Sequence, residues 1–103
     1  MDSRTMNHEY RKKPIVIEAF QMTKDRGESN VDWPEWLHRA WNMEQGEPGA
    51  IFRAMPFDGS SKFRICTLEG THTVSWNDWI IRGVEGEIYP CKDSIFQQTY
   101  EKA

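Results

Sequence analysis

The 103-residue chain has only two cysteines, Cys66 and Cys91, and no C-x-x-C pair. That is thin for a secreted disulfide scaffold, so two free thiols in a reducing compartment are expected. Long apolar runs are also missing. Stretches such as Pro14 to Ile17 are far too short to cross a bilayer, and no membrane partner is expected. No basic n-region, apolar h-region and small-residue cleavage site open the sequence, so a signal peptide is not expected. Charge of one sign is not dominant: 13 Lys and Arg stand against 16 Asp and Glu, for a net charge of −3. A general coater of long nucleic acid carries a strong basic excess, so the balance argues against that class.

Chemistry-bearing motifs are sparse too. There is no G-x-S-x-G elbow, no G-x-x-x-x-G-K and no G-x-G-x-x-G. His8, His38 and His72 are scattered, and Cys66, His72 and Cys91 lack the local spacing of a zinc site. No catalytic residue, metal or cofactor is expected.

Aromatic residues, by contrast, are abundant: five Trp, five Phe and three Tyr. A disordered chain has few of these, and the length suits one domain. Residues 1–13 read as a polar N-terminal arm that ends in the basic cluster Arg11, Lys12 and Lys13. Such an arm is either a frayed terminus or a segment that closes over an anionic ligand or a neighbouring subunit. Residues 14–103 form the single domain.

Within it, Pro14 to Met22 is β-branched and reads as a strand opened by proline, covered on both sides. The polar run Thr23 to Asn30 bounds it. A helix is expected from Asp32 to about Glu44. Asp32 and Glu35 have capping-box spacing, and Trp33, Trp36, Leu37, Ala40 and Trp41 form one apolar stripe. That stripe is either core or a place where one ring stacks on a planar ligand. Ala50 to Met55 reads as a strand, with Pro56, Asp58 and Gly59 as its turn. Lys62–Leu68 and Thr71–Trp76 read as a hairpin about Glu69-Gly70, with Phe63 opposite Trp76 and Arg64 opposite Ser75. Asn77-Asp78 is a turn, Trp79–Val84 and Glu87–Tyr89 are strands, and Asp93 or Ser94 caps a terminal helix. The fold class is therefore α+β: a small antiparallel sheet or half-barrel of short strands, one Trp-rich helix and a short C-terminal helix.

One face of the hairpin carries Arg64, Thr73 and Ser75. It is either a solvated face or a donor set for a compact anion, since arginine forks and hydroxyls bind phosphate. Trp79, Tyr89 and Tyr100 could supply rings for stacking on bases.

The stretch from Thr67 to Glu101, TLEGTHTVSWNDWIIRGVEGEIYPCKDSIFQQTYE, resembles a widespread group of small bacteriophage proteins. Their typical run is T-L-E-G, a short strand, P-G-D-W-I-I, G-V-x-G-E-x-Y-P-C-K and I-F-x-x-T-Y. The segment KKPIVIEAFQ is similar to the group's N-terminal strand. The likeness spans roughly two thirds of the chain and departs at Trp76-Asn77-Asp78, where Pro-Gly-Asp is usual. Asn-Asp still makes a turn, because both residues tolerate the left-handed region.

The resemblance points to phage anti-CBASS sponges, small oligomers that bind cyclic dinucleotides such as cyclic GMP-AMP without cleaving them. It implies a non-enzymatic counter-defence protein acting in the host bacterial cytoplasm as a homo-oligomer, with a tetramer favoured. On that reading Arg64, Arg82 and Lys92 hold phosphate, Thr73 and Ser75 donate hydroxyls, and Trp79 and Tyr89 stack on bases. Arg11, Lys12 and Lys13 close the site from a neighbouring chain. A protein–protein inhibitor of a host enzyme is the alternative, presenting Glu85, Glu87, Asp93 and Glu101 to a basic patch. A phosphodiesterase acting on the same signal, or a minor virion role, are further alternatives.

Overall fold

Prolines and polar turns cut the chain into short strands; among the described residues two short helices lie between the first two strands and a third follows the last. The computed structural model describes residues 8–54 and 62–103. The expected turn at Pro56, Asp58 and Gly59, and the first residues of the arm, lie outside them. The order is β1 (Glu18–Gln21), α1 (Lys24–Ser29), α2 (Glu35–Trp41), β2 (Ile51–Arg53), β3 (Phe63–Thr67), β4 (Gly70–Val74), β5 (Trp79–Arg82), β6 (Ile88–Cys91) and α3 (Asp93–Thr99). Two antiparallel three-stranded sheets result, ordered β1-β5-β6 and β2-β3-β4. The fold is a small α+β arrangement.

The sheets meet through β3, β4 and β6, and α2 rests on β2. Between them lie Phe20, Met22, Leu37, Ile51, Phe63, Ile65, Val74 and Ile80, all buried. Burying each such side chain contributes about 1.5–3 kcal/mol. The tryptophan stripe is core: Trp33 is buried, while Trp36 and Trp41 pack on the cluster half-buried. Trp33 and Trp41 both meet Phe63 edge-on, at 5.5 and 5.7 Å.

Several boundaries differ from the sequence reading. Helix α2 starts after Pro34, not at Asp32, which takes φ 68°. Proline bars the helical region to the residue before it, so Trp33 stays outside the helix. The polar run after β1 contains α1, where Thr23 Oγ1 accepts a hydrogen bond from Arg26 N–H and Asn30 caps at φ 57°. Strand β1 begins at Glu18, not Pro14, because β5 ends at Arg82, the partner of Glu18. Ile15 and Val16 are therefore exposed, at 50% and 76%, and not covered on both sides.

The β3–β4 hairpin is shifted by two residues: Phe63 faces Val74, Arg64 faces Thr73 and Thr67 faces Gly70. Leu68-Glu69 is the turn, because Thr67 Oγ1 accepts from Glu69 N–H and donates to Gly70 O. A shift of two keeps every side chain on its expected face. Asn77 takes φ 76° in its turn, as its tolerance for that region predicts. Among the described residues β6 is an edge strand, a place in a sheet where a proline without an N–H is tolerated, as Pro90 is.

Candidate functional site

Pairing register sorts the expected site residues before any side chain is considered. In the first sheet, Gln21–Trp79–Cys91 and Ala19–Ile81–Tyr89 line one face, and Phe20–Ile80–Pro90 and Glu18–Arg82–Ile88 line the other. Trp79 and Tyr89 thus share a face, and Arg82 lies on the opposite one. In the second sheet, Phe52–Arg64–Thr73 forms one cross-strand row, and its neighbours Ile51–Ile65–His72 and Arg53–Phe63–Val74 turn the other way.

The face of Trp79 and Tyr89 is where α3 docks. Phe96 stacks on Trp79 at 4.0 Å with an 8° interplanar angle, and Tyr100 stacks on Phe96 at 5.1 Å. Trp79 Nε1–H donates to Asp93 Oδ1 at 2.8 Å, and Gln97 Nε2 donates to the same oxygen at 3.2 Å. These two hydrogen bonds, Trp79's first, hold the Asp93 carboxyl below its ordinary value. Lys12 joins the group, with Nζ 5.3 Å from the Tyr100 ring centre and 3.5 Å from its hydroxyl. Burial, followed by the hydrogen-bonding Tyr100 hydroxyl and nearby negative charge, pushes the Tyr89 phenol up to about 12.

Trp79 therefore spends one ring face and its N–H on α3, so a base has at most its other face. Asp93 is likewise engaged and is a poor member of an acidic docking surface. Neither role was readable from the spacing of Trp79 and Phe96.

The row Phe52–Arg64–Thr73 is different. Arg64 and Thr73 are exposed, Phe52 is half-buried, and the Arg64 guanidinium has no partner among the described residues. Directly opposed residues on neighbouring strands have Cβ atoms roughly 4.5–5.5 Å apart. The row therefore presents a ring, a guanidinium and a hydroxyl side by side. Ser75 lies two residues beyond Thr73, half-buried, with its N–H on Asp78 Oδ2.

Arg82 is paired: Nη1 lies 2.7 Å from Glu18 Oε1. Both partners are partly exposed, so the pair is worth about 0–1 kcal/mol, but it offsets the charge offered to an anion. Lys92 is exposed at the start of α3, and Arg11 and Lys13 are exposed in the arm. The expected residues thus divide into the Arg64–Thr73 row, the α3 group with Lys12, Trp79 and Tyr89, and Arg82 apart from both.

A cleft of about 730 Å³ opens between the β3–β4 hairpin and the β5–β6 turn. Its walls include Pro48, Leu68, Ile88 and Pro90, with Glu69, Glu85 and Glu87 and, among the described residues, no Lys or Arg. Tyr89 is the one expected site residue that lines it. Three carboxylates without a cation make it a poor seat for phosphate. The Cys91 thiol is pushed up by burial and then by the Asp78 charge, away from the thiolate a nucleophile requires. Among the described residues no helix is long and apolar enough to cross a membrane, and no three His, Cys, Asp or Glu side chains gather as metal ligands.

No protein family, curated protein or solved structure matches the chain in comparison with known proteins.

Proposed function

We propose that this protein is a phage counter-defence protein that sequesters a cyclic dinucleotide signal, such as cyclic GMP-AMP, without cleaving it. The observation that carries this reading is the row Phe52–Arg64–Thr73, whose exposed guanidinium has no partner among the described residues. An arginine fork and an adjacent hydroxyl suit one phosphate, and the neighbouring ring suits one base. The row is preorganised: Ile65 and Phe63 beside it are fully buried, which fixes the backbone under Arg64. A cyclic dinucleotide repeats its base-and-phosphate unit about a near two-fold axis. Two copies of the row, from two protomers of a homo-oligomer, meet both units. The resemblance to anti-CBASS sponges supplies the biological setting, a host bacterial cytoplasm in which removal of the signal keeps the effector silent.

The test is a thermal-shift and calorimetric screen against cyclic dinucleotides, cyclic trinucleotides and linear controls. A ligand at 100-fold excess over Kd adds about 2.7 kcal/mol. In a domain of this size that raises Tm by roughly 10–20 °C. Arg64→Ala removes a charged hydrogen bond worth about 1.5–3 kcal/mol, so Kd rises on the order of 10- to 150-fold. The ligand is recovered intact after denaturation. If no cyclic nucleotide moves Tm, or Arg64→Ala binds as tightly as the parent, the reading is wrong.

A further inference from the structure

We infer that the acidic cleft is a docking groove for the N-terminal arm of a second copy of this chain. Its walls are largely apolar, and among the described residues its carboxylates are three glutamates with no Lys or Arg beside them. Leu68, at the hairpin tip, is 91% exposed and leaves an apolar lip uncovered. The occupant must therefore carry positive charge and apolar side chains together.

The arm has that composition. Arg11, Lys12 and Lys13 are the one run of three consecutive basic residues in the sequence. They are flanked by Tyr10, which is 93% exposed, and by Ile15 and Val16, which pair with no strand among the described residues. In its own chain the arm is held on α3, where Lys12 rests on Tyr100. Arg11 and Lys13 are exposed and have no ion-pair or hydrogen-bond partner among the described residues.

Lys12 thus roots the arm on its own body while Arg11 and Lys13 remain for a neighbour. Complementary charge fixes which surfaces meet and makes the association salt-sensitive. The contact joins two different surfaces, so reciprocal exchange closes a dimer and repeated exchange closes a ring. It rests on the arm and the cleft alone, and it stands whether or not a nucleotide binds.

The experiment measures self-association of the full-length protein by sedimentation across the micromolar range. Arg11→Glu with Lys13→Glu reverses the arm, and Glu69→Lys with Glu85→Lys reverses the cleft. All four positions are exposed, and circular dichroism checks that each protein folds. Glu87 is left alone because its carboxylate accepts the Glu85 N–H and packs over Gly83. Each reversed protein is expected to associate at least about tenfold more weakly than the parent. An equal mixture of the two, in which the acidic arm meets the basic cleft, is expected to regain the parent's association. Raised salt weakens the parent's association. A parent that stays monomeric throughout overturns the inference. So does association unchanged by either reversal, or reversed proteins that fail to complement each other.

Discussion

Gly27 is the position where one added methyl group tests the packing most directly. It lies buried in α1, and a Cβ built on its backbone would sit 2.7 Å from Trp76 Cη2 and 3.0 Å from Phe63 Cε2. Phe63 is fully buried and held edge-on by Trp33, Trp41 and Trp76, so it has nowhere to go. Trp76 is half-buried and must swing outward, giving up its 84° edge contact with Phe63 at 6.1 Å.

Gly27→Ala gains about 1 kcal/mol of helix propensity. Against that, overpacking a well-filled core costs about 1–3 kcal/mol. With a rigid ring on one side the cost falls toward the upper end, leaving a net loss of about 1–2 kcal/mol. Thermal unfolding then shows Tm lower by roughly 4–16 °C. In a Trp76→Leu background the nearer obstacle is gone and the 3.0 Å approach to Phe63 remains, so the same substitution lowers Tm by less. Contacting residues couple by about 0.5–3 kcal/mol in such a cycle. An unchanged or higher Tm for Gly27→Ala alone, or an equal loss in both backgrounds, would refute the seating of Trp76 on α1.

The docking of α3 gives two pH dependences of opposite sense. Asp93 has its folded value held down by the Trp79 and Gln97 hydrogen bonds. Its contribution is therefore present above the ordinary carboxylate value and lost as pH falls through the folded one. Acid titration followed by Trp79 fluorescence should show α3 releasing below that value, and Asp93→Asn should abolish the step. Tyr89 is pushed up to about 12 from an ordinary 10.0, so the folded protein holds this proton more tightly. Its contribution is full below 10 and lost as pH rises through about 12. Denaturant unfolding at stepped alkaline pH should show that decline, and Tyr89→Phe should remove it.

Much of the scaffold was legible because it rests on periodicity. The stripe Trp33, Leu37, Ala40 and Trp41 announces a core helix, and alternation in β3 fixes which side chains face inward even with the turn misplaced by one residue and the register by two. What alternation cannot fix is the turn itself. Gly70 is the better turn former by conformational freedom, but the Thr67 hydroxyl ties Leu68-Glu69 instead. Helix α1 was hidden because six residues carrying Gly27 show no apolar period. Its signal was only the pair of capping residues, Thr23 and Asn30.

The binding candidates were harder, for a physical reason. An exposed Trp and a docked Trp have the same local sequence. Only the helix arriving from residues 93–99 distinguishes them, and it makes Trp79 a strut for α3. Arg64 and Arg82 likewise read alike until the register puts Glu18 beside one and Thr73 beside the other.

That difference decides how the surface divides its work. A chain of net charge −3 has little positive potential to spare, so an anion is held only where a cation stands without a carboxylate neighbour. Among the described residues Arg64 meets this condition; Arg82 does not, because a carboxylate 2.7 Å away already occupies its field. In the cleft the balance is reversed: among the described residues Glu69, Glu85 and Glu87 stand without Lys or Arg, which repels phosphate and favours a basic chain segment. The row on the second sheet and the cleft between the sheets therefore compete for opposite charges. Arg11 and Lys13, expected from sequence to close on phosphate, find in the cleft the carboxylates that the row lacks. Assembly through arm and cleft and ligand capture at the Arg64 row therefore call on side chains of opposite charge, which lets each be tested by its own substitutions.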